Sequence, residues 1–510
     1  MKLREAITIK TGYTRSINLE RDATGTAVIE GYIPTSRALR TLSRIADSLH
    51  DGRAQRAWSL VGPYGSGKSS FALFASQILS DPDSEQTKIA DQVLTKADKN
   101  LALLIKKDDR HYLRVLITGS PEPLTRKLLY GLLECAKSYY GTKAGRNPKI
   151  ITELADALAE DEITVSRFLS LLDILTASLE KSGISGIFIV IDELGKFLEY
   201  EARHYGANDI FLLQALAEHA SKASHFNMLL LVMLHQSFEQ YAKGLGESLK
   251  NEWGKIQGRF EEIPFLESEE QVLRVVSAAF ENKLKNSDKE SFEGSIMDAT
   301  LKLGKLNALP GVLSDSEANR LFNQCYPLHP VTAMILPSLC QKIAQNERTL
   351  FSYLGSQEDH GVTRLLADLD IGQFVLPHQV FDYFVANQTS FMGDHSVHRR
   401  WVEVQTALER LGDANEDARN VLKTIGLFNI MGSRGEFKPS KELLGTVFAN
   451  KAKLTRMINL LEEKSVINYR KFSGEYRVWQ GSDFNLEEAL DTELNNLGNF
   501  ALADELNQSD

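Results

Sequence analysis

The 510-residue chain has few cysteines and no long apolar runs. Its three cysteines, Cys135, Cys325 and Cys340, lie far apart and form no CxxC pair, which argues against a disulfide framework and against a zinc ribbon. No segment approaches 18 uninterrupted apolar residues, and the N-terminus lacks the apolar stretch of an export signal. We therefore expect a protein of the reducing cytoplasm that has no membrane partner.

The sequence also lacks internal repeats, low-complexity tracts and any recognisable nuclease, protease or nucleotidyl-transfer centre. With 43% hydrophobic and 25% charged residues, its composition is that of an ordinary globular protein. The net charge of -10 argues against a surface that wraps nucleic acid over its whole extent, although it allows a local basic module. The length suggests roughly three domains.

A glycine-rich segment after an apolar run is the most specific motif in the chain. It reads Gly62-Pro63-Tyr64-Gly65-Ser66-Gly67-Lys68-Ser69, follows Ala57–Val61 and precedes helix-favouring residues that begin with Ser70. Its glycines permit positive φ angles, so that successive N–H groups turn inward at the positive end of a helix and bind phosphate. Lys68 then supplies a charge for the β- and γ-phosphates, and the Ser69 hydroxyl is the expected magnesium ligand.

A second motif ends an apolar strand. Residues Gly186–Ile191 form a continuous apolar run, typical of a strand buried on both faces, and Asp192 and Glu193 follow at its carboxyl end, where open α/β sheets bind ligands. Asp192 is expected to hold the magnesium shell, and Glu193 to orient or polarise the attacking water. Together with the glycine-rich segment, this strand predicts ATP hydrolysis rather than passive nucleotide binding.

The C-terminal part of the chain predicts three helices and a hairpin. Helical periodicity covers 417–428, 440–448 and 452–464, and the strand patterns 466–471 and 475–479 flank a Phe472-Ser473-Gly474 turn. This order is typical of a winged helix. The segment from Arg434 to Arg477 contains ten basic and five acidic residues, and this local positive charge favours DNA contact. Two observations argue against DNA contact: many winged helices only pack on other domains, and the acidic pair Glu462-Glu463 lies at the end of the third helix.

These motifs, with Gln236 and Arg259, resemble the AAA+ ATPases of the origin-recognition and STAND branch. Three further stretches are similar to large ATP-binding proteins of bacterial phage-resistance islands, including the BREX-type ATPase group: Ile191–Phe197, Tyr326–Pro330 and Tyr476–Phe484. The likeness covers about residues 30 to 490, and such proteins are often much longer. It implies an α/β P-loop NTPase of the AAA+ (ASCE) type, with a parallel sheet, a helical lid and a C-terminal winged-helix domain.

The resemblance also implies roles for residues outside the two motifs. Tyr32 and Ile33 would border the adenine, although the following segment also fits a plain surface helix. His235 or Gln236, after the strand Met228–Leu234, would sense the γ-phosphate, or would only cap the next helix. Arg259 would reach a neighbouring subunit as an arginine finger, and Arg348 would contact the γ-phosphate; a surface salt bridge is the plain alternative for an exposed arginine.

These patterns divide the chain into six segments. The first, 1–50, borders the nucleotide, 51–267 is the AAA+ core, 268–355 the helical lid, 356–415 a helical linker, 416–485 the winged helix, and 486–510 a polar tail compatible with a truncation boundary. In the lid, Ser268 and Gln271 have capping-box spacing, which predicts a helix that runs to about Lys285.

Three functions are compatible with these features. The first is an ATP-hydrolysing switch or motor in antiphage defence that forms a homo-oligomer and acts on DNA or on an effector protein. The second is a nucleotide-gated signalling or scaffold protein whose winged helix packs internally. The third is an origin-recognition-like loader.

Overall fold

The computed structural model describes residues 1–10, 17–51, 54–107, 111–141, 149–204, 209–222, 226–238, 256–343, 350–386, 395–412, 415–432 and 437–479. The chain divides into two compact units. The first consists of Met1–Gly304 and Leu309–Gly393, and the second of Lys305–Ala308 and Asp394–Asp510.

A five-stranded parallel sheet forms the centre of the first unit. After a short strand β1 (Ile7–Ile9), its strands are β2 (Ala57–Val61), β3 (Tyr112–Thr118), β4 (Gly186–Asp192), β5 (Asn227–Leu234) and β6 (Glu261–Pro264). They lie in the order β3-β4-β5-β2-β6, and all neighbouring pairs are parallel. One strand, β5, therefore separates β2, which leads into the glycine-rich segment, from β4, which ends at Asp192.

Side chains on the two faces of this sheet form two separate hydrophobic cores. Every residue of β4 is buried; Ile187, Ile189 and Ile191 belong to one core, whereas Phe188 and Val190 belong to the other. This explains why β4 shows no polar alternation in the sequence, because a parallel strand covered on both faces needs apolar residues at every position.

Helices cover both faces of the sheet. Before β6 they are Leu19–Asp22, Ala27–Glu30, Ser36–His50, Lys68–Ile78, Glu85–Ala97, Lys99–Lys106, Leu124–Gly141, Lys149–Leu158, Val165–Glu180, Leu194–Arg203 and Asp209–Ala220. Several begin at a residue whose side chain accepts a backbone N–H, among them Thr35, Ser84, Asp98 and Thr164. None of the described helices is long and apolar enough to cross a membrane.

A mainly helical region follows the sheet in the first unit. Its helices are Glu269–Ala279, Asn286–Lys305, Asp315–Gln324, Pro330–Ile343, Leu350–Gly355, Val362–Asp368 and Pro377–Ala386. The Ser268 side chain caps the first of them by accepting the Gln271 N–H, as expected from the sequence. The predicted extension to Lys285 is wrong, because Phe280–Asn282 leave the helix and form strand β7, antiparallel to β1.

The second unit contains the predicted winged helix. Helix His395–Leu411 precedes the helices Glu416–Met431, Lys441–Val447 and Lys451–Glu463, and strands β8 (Ile467–Arg470) and β9 (Glu475–Val478) pair antiparallel. Asn415, Ser440 and Asn450 cap the last three helices with their side chains. Gly474 adopts a φ of 66° in the turn between the strands, a conformation that favours glycine.

Changing Gly186 to Ala should destabilise the first unit. A Cβ atom at the start of β4 would lie 2.3 Å from the backbone oxygen of Asn227 and 2.3 Å from a ring carbon of Tyr112. We expect the free energy of unfolding to fall by about 1–3 kcal/mol, the usual cost of overpacking, as measured by chemical denaturation. The matched control is Gly294→Ala on an exposed helix position with open space around it, which should be neutral or stabilise by about 0.5–1 kcal/mol.

Candidate nucleotide site

The glycine-rich segment Gly62–Ser69, hereafter the phosphate loop, connects β2 to helix Lys68–Ile78. Gly65 and Gly67 have φ angles of 72° and 85°, and Gly67 is the residue at which the helix begins. A Cβ on Gly62 would lie 2.4 Å from the Phe265 backbone oxygen, so the close approach of the segment after β6 requires glycine there. The loop therefore ends at the positive end of an 11-residue helix, the position at which backbone N–H groups bind phosphate in such loops.

The Lys68 side chain folds over this loop and is buried. Its ammonium donates to the backbone oxygens of Gly62 at 2.5 Å and Pro63 at 2.9 Å, and to the Ser66 hydroxyl at 3.4 Å. Burial lowers the pKa of Lys68 to about 8, while the carboxylates of Asp192 and Glu193 act in the opposite direction. The side chain is therefore mainly a cation at neutral pH, which is the charge that a phosphate group needs.

Ser69 and Asp192 meet although they lie far apart in the sequence. The Ser69 hydroxyl donates to Asp192 Oδ2 at 2.6 Å, and the other carboxylate oxygen accepts the Glu193 N–H at 2.8 Å. Burial raises the pKa of Asp192, and the hydrogen bond from Ser69 opposes this effect. Both groups are hard oxygen donors, close enough to be neighbouring ligands of one ion, so they fit magnesium.

Glu193 follows at the carboxyl end of β4 in an unusual backbone conformation. Its φ of 50° and ψ of 42° are left-handed, and it is the residue before helix Leu194–Arg203. Gly119 packs against it so closely that a Cβ there would lie 2.3 Å from the Glu193 backbone oxygen. The Glu193 carboxylate forms an ion pair with Lys196, with 2.6 Å between Oε2 and Nζ. Neither Gly119 nor Lys196 was singled out from the sequence, although the three-residue spacing of Glu193 and Lys196 was a visible signal.

The end of β5 contributes His235 and Gln236, which are both half-buried. The His235 ring stacks on Tyr64 of the phosphate loop, with ring centroids 3.5 Å apart and planes inclined by 25°. Burial lowers the pKa of His235 to about 3, and the ammonium groups of Lys68 and Lys196 act in the same direction. Of the two residues predicted as alternative γ-phosphate sensors, His235 therefore contacts the phosphate loop directly.

Tyr32 and Ile33 precede helix Ser36–His50 and are half-buried. The Tyr32 ring stacks on Phe74, which lies on the helix that starts at the phosphate loop, with centroids 4.5 Å apart. Thr35 caps the following helix and donates to Glu267 at 2.5 Å. The segment is thus attached to the loop helix, and its contact with a base stays a prediction.

The two predicted arginines do not contribute a described contact to the loop. Arg259 is 51% exposed and forms an ion pair at 3.1 Å with Glu218 on helix Asp209–Ala220. Arg348 lies outside the described residues. Among the residues that the structure does describe, no group of three or more His, Cys, Asp or Glu side chains could hold a metal ion on its own. A magnesium ion at Ser69 and Asp192 would therefore complete its ligand set with phosphate oxygens and water.

The strand order and the phosphate loop define a P-loop NTPase fold of the AAA+ type, with one strand inserted between the loop strand and the strand that carries Asp192. No protein-family model matches the chain, and no curated protein matches it in sequence.

Solved structures of origin-recognition proteins resemble the chain along most of its length. The Aeropyrum pernix ORC2 protein in ADPNP–ADP complexes is 12% identical, with coverage of 92% of this chain and 97% of that chain and a TM-score of 0.33. The A. pernix ORC1 protein in complex with DNA is 11% identical, with coverage of 96% and 98% and a TM-score of 0.32. The ADP form of ORC2 is 11% identical, with coverage of 93% and 98% and a TM-score of 0.35. Likeness at this level assigns no role to any residue.

The His235 imidazole should stay neutral between pH 8 and pH 5. The pKa of His235 is about 3, so the ring carries no charge in this range. We expect its carbon-bound proton signal, identified by its loss in His235→Gln, to keep a constant NMR chemical shift across this range. A titration midpoint near pH 6.5 would contradict the buried position of the ring beside two ammonium groups.

Proposed function

We propose that the chain is an ATP-hydrolysing AAA+ switch or motor. The observation that carries this proposal is the convergence of Ser69, on the loop helix, with Asp192 and Glu193 at the end of β4, across the intervening strand β5. Passive phosphate binding needs only the loop. A magnesium-competent hydroxyl and carboxylate, followed at once by a second carboxylate, supply what hydrolysis needs in addition.

Each group has a defined part in this chemistry. The N–H groups of the phosphate loop and the Lys68 ammonium bind the β- and γ-phosphates and offset their charge. Ser69 and Asp192 would hold magnesium, which neutralises charge on the β- and γ-phosphate oxygens. Glu193 accepts a hydrogen bond from the attacking water and orients it, because its carboxylate stands at the carboxyl edge of the sheet, beside Asp192.

The remaining predicted residues surround this centre in the proposal. Tyr32 and Ile33 border the adenine, which the stack of Tyr32 on the loop helix supports. Either His235 or Gln236 senses the γ-phosphate, and the stack of His235 on Tyr64 of the phosphate loop supports His235 for this role. Arg348 keeps its predicted role as a contact to the γ-phosphate.

We infer that copies of the chain assemble around the nucleotide. Arg259 is exposed, and its described partner, Glu218, is half-exposed, so this pair costs little to break. In the assembly, Arg259 leaves Glu218 and reaches the γ-phosphate held by the neighbouring copy. The resemblance to proteins of phage-resistance islands favours a role in bacterial antiphage defence, in the cytoplasm and with an effector protein that carries the further chemistry.

The winged helix is the proposed DNA-binding part. Arg456 on its third helix and Arg470, Lys471 and Phe472 at the hairpin are exposed, whereas Lys453 pairs with Asp417 at 2.7 Å. Cations beside an exposed aromatic ring suit contacts to phosphates and bases. A winged helix that only packs on other protein would not need this exposed set.

Changing Glu193 to Gln should abolish hydrolysis and preserve nucleotide binding. The amide keeps the size of the side chain but cannot accept a proton from water, so we expect the turnover rate to fall by at least about 100-fold. The measurement is phosphate release together with nucleotide affinity. Glu199→Gln, an exposed change on the same helix, is the matched control and should leave both unchanged.

The Lys68→Ala variant separates binding from hydrolysis, because it should lose nucleotide affinity itself. Wild-type turnover in Glu193→Gln would rule out the assigned role of this carboxylate, and unchanged binding in Lys68→Ala would rule out the site.

Neutralising Arg456 and Arg470 together should weaken DNA binding in a salt-dependent way. If each contacts a phosphate, the slope of log affinity against log salt should become shallower by about 1 to 2 in the double alanine variant, measured by fluorescence anisotropy. A double change of the exposed Arg320 and Arg364 in the first unit removes the same charge and should leave the slope unchanged. Equal slopes in all three proteins would favour the signalling or scaffold alternative.

A further inference from the structure

The ion pair between Glu193 and Lys196 lies within a single turn of chain. The Lys196 backbone N–H donates to the Glu193 backbone oxygen at 3.0 Å, which closes the turn, and the two side chains then meet with 2.6 Å between Lys196 Nζ and Glu193 Oε2. The left-handed backbone of Glu193 allows this meeting, because it turns the chain sharply from the end of β4 into the next helix. The carboxylate proposed to activate water is therefore bound to an ammonium group of the helix that follows it.

The charge of Lys196 also affects a residue that contacts the phosphate loop. In addition to burial, the ammonium groups of Lys196 and Lys68 both lower the pKa of His235, whose ring stacks on Tyr64 of the loop. The Lys196 side chain is 46% exposed, so it retains the freedom to change partners. Two ammonium groups thus belong to this region: Lys68 contacts the phosphate loop, and Lys196, which is outside the loop motif, contacts Glu193.

We propose that Lys196 binds the γ-phosphate of the nucleoside triphosphate and thereby releases the Glu193 carboxylate to orient water. This inference rests on the proposed function and adds a residue to the same site. With a diphosphate, Lys196 stays paired with Glu193; with a triphosphate, it exchanges one carboxylate for the phosphate. Lys196 is then both a selector for triphosphate and the positioning residue for Glu193.

The exchange follows from charge and geometry. A terminal phosphate carries more negative charge than one carboxylate, so within reach of the half-exposed Lys196 side chain it is the stronger partner for the ammonium. The ammonium occupies an acceptor position on Glu193 Oε2 and draws the carboxylate toward itself, so the carboxylate is less available to orient water. Hydrolysis is then favoured only when a γ-phosphate is present to draw Lys196 away.

The first test compares affinities for the β,γ-imido analogue of ATP and for ADP, by calorimetry with magnesium, in the full chain. In Lys196→Met we expect the affinity for the analogue to fall about tenfold, the size of one charge-assisted contact, while the affinity for ADP changes by less than about twofold. Lys196→Arg keeps the charge and should restore most of the preference. Lys137→Met removes a half-exposed lysine that also pairs with a glutamate three residues away, Glu134, and should have no effect.

The second test measures the coupling of the two side chains. Glu193→Gln removes the ion pair, so Lys196 is free in advance and the analogue should bind several-fold more tightly. In the Lys196→Met background, the same Glu193 change should have no effect on this affinity. A purely structural ion pair predicts no such dependence on the γ-phosphate.

The outcomes distinguish this inference from the proposed function. If wild type prefers the analogue and this preference survives Lys196→Met, or if both affinities fall equally, the γ-phosphate role of Lys196 is wrong and the ATPase site stands. A wild-type chain that binds neither nucleotide overturns both. The unfolding transition of Lys196→Met, compared with wild type, shows whether a loss reflects the site or the fold.

Discussion

The hydrogen bond from Ser69 to Asp192 is the contact on which the site depends. It joins the helix after β2 to the end of β4. Strands β2 and β4 are not neighbours in the sheet, because β5 lies between them. Parallel strands bring their carboxyl ends to one edge, so the sheet order alone decides which loops can meet there. Three features position this contact: the glycines of the loop, the apolar side chains that cover both faces of the sheet, and the burial of Asp192.

Burial gives the site its electrostatic character. Lys68 and Asp192 are both withdrawn from water, and burial makes each charge more costly, as the lowered pKa of Lys68 and the raised pKa of Asp192 record. The two opposite charges, with Glu193 and Lys196 nearby, compensate one another in part. In the proposed ATPase, a phosphate and a magnesium ion replace some of these internal partners and bring the same charges in a different arrangement.

Much of the fold followed from local patterns in the sequence. The glycine spacing of the phosphate loop, the apolar run before Asp192 and the helical periodicity of the winged helix are each local patterns, so the sequence predicts them well. Strand β7 was missed because its partner, β1, lies some 270 residues away and leaves no local signal. Lys196 was missed for another reason: a lysine three residues after a glutamate is common on helices, and only the structure shows that this lysine pairs with Glu193 at the end of β4. The proposed roles of Arg259 and Arg348 depend on a neighbouring copy and on a bound phosphate, which local sequence patterns do not encode.

The pairing of β1 with β7 has a consequence for the order in which the chain folds. Thr8 lies opposite Glu281, and Lys2 binds Asp370 at 3.0 Å, so the first residues join segments that are synthesised hundreds of residues later. Closing a flexible loop of that length costs about 5 kcal/mol of chain entropy, more than a three-residue strand pair returns. We therefore expect the N-terminal strand to dock late, after the sheet and the following helices have brought its partner near.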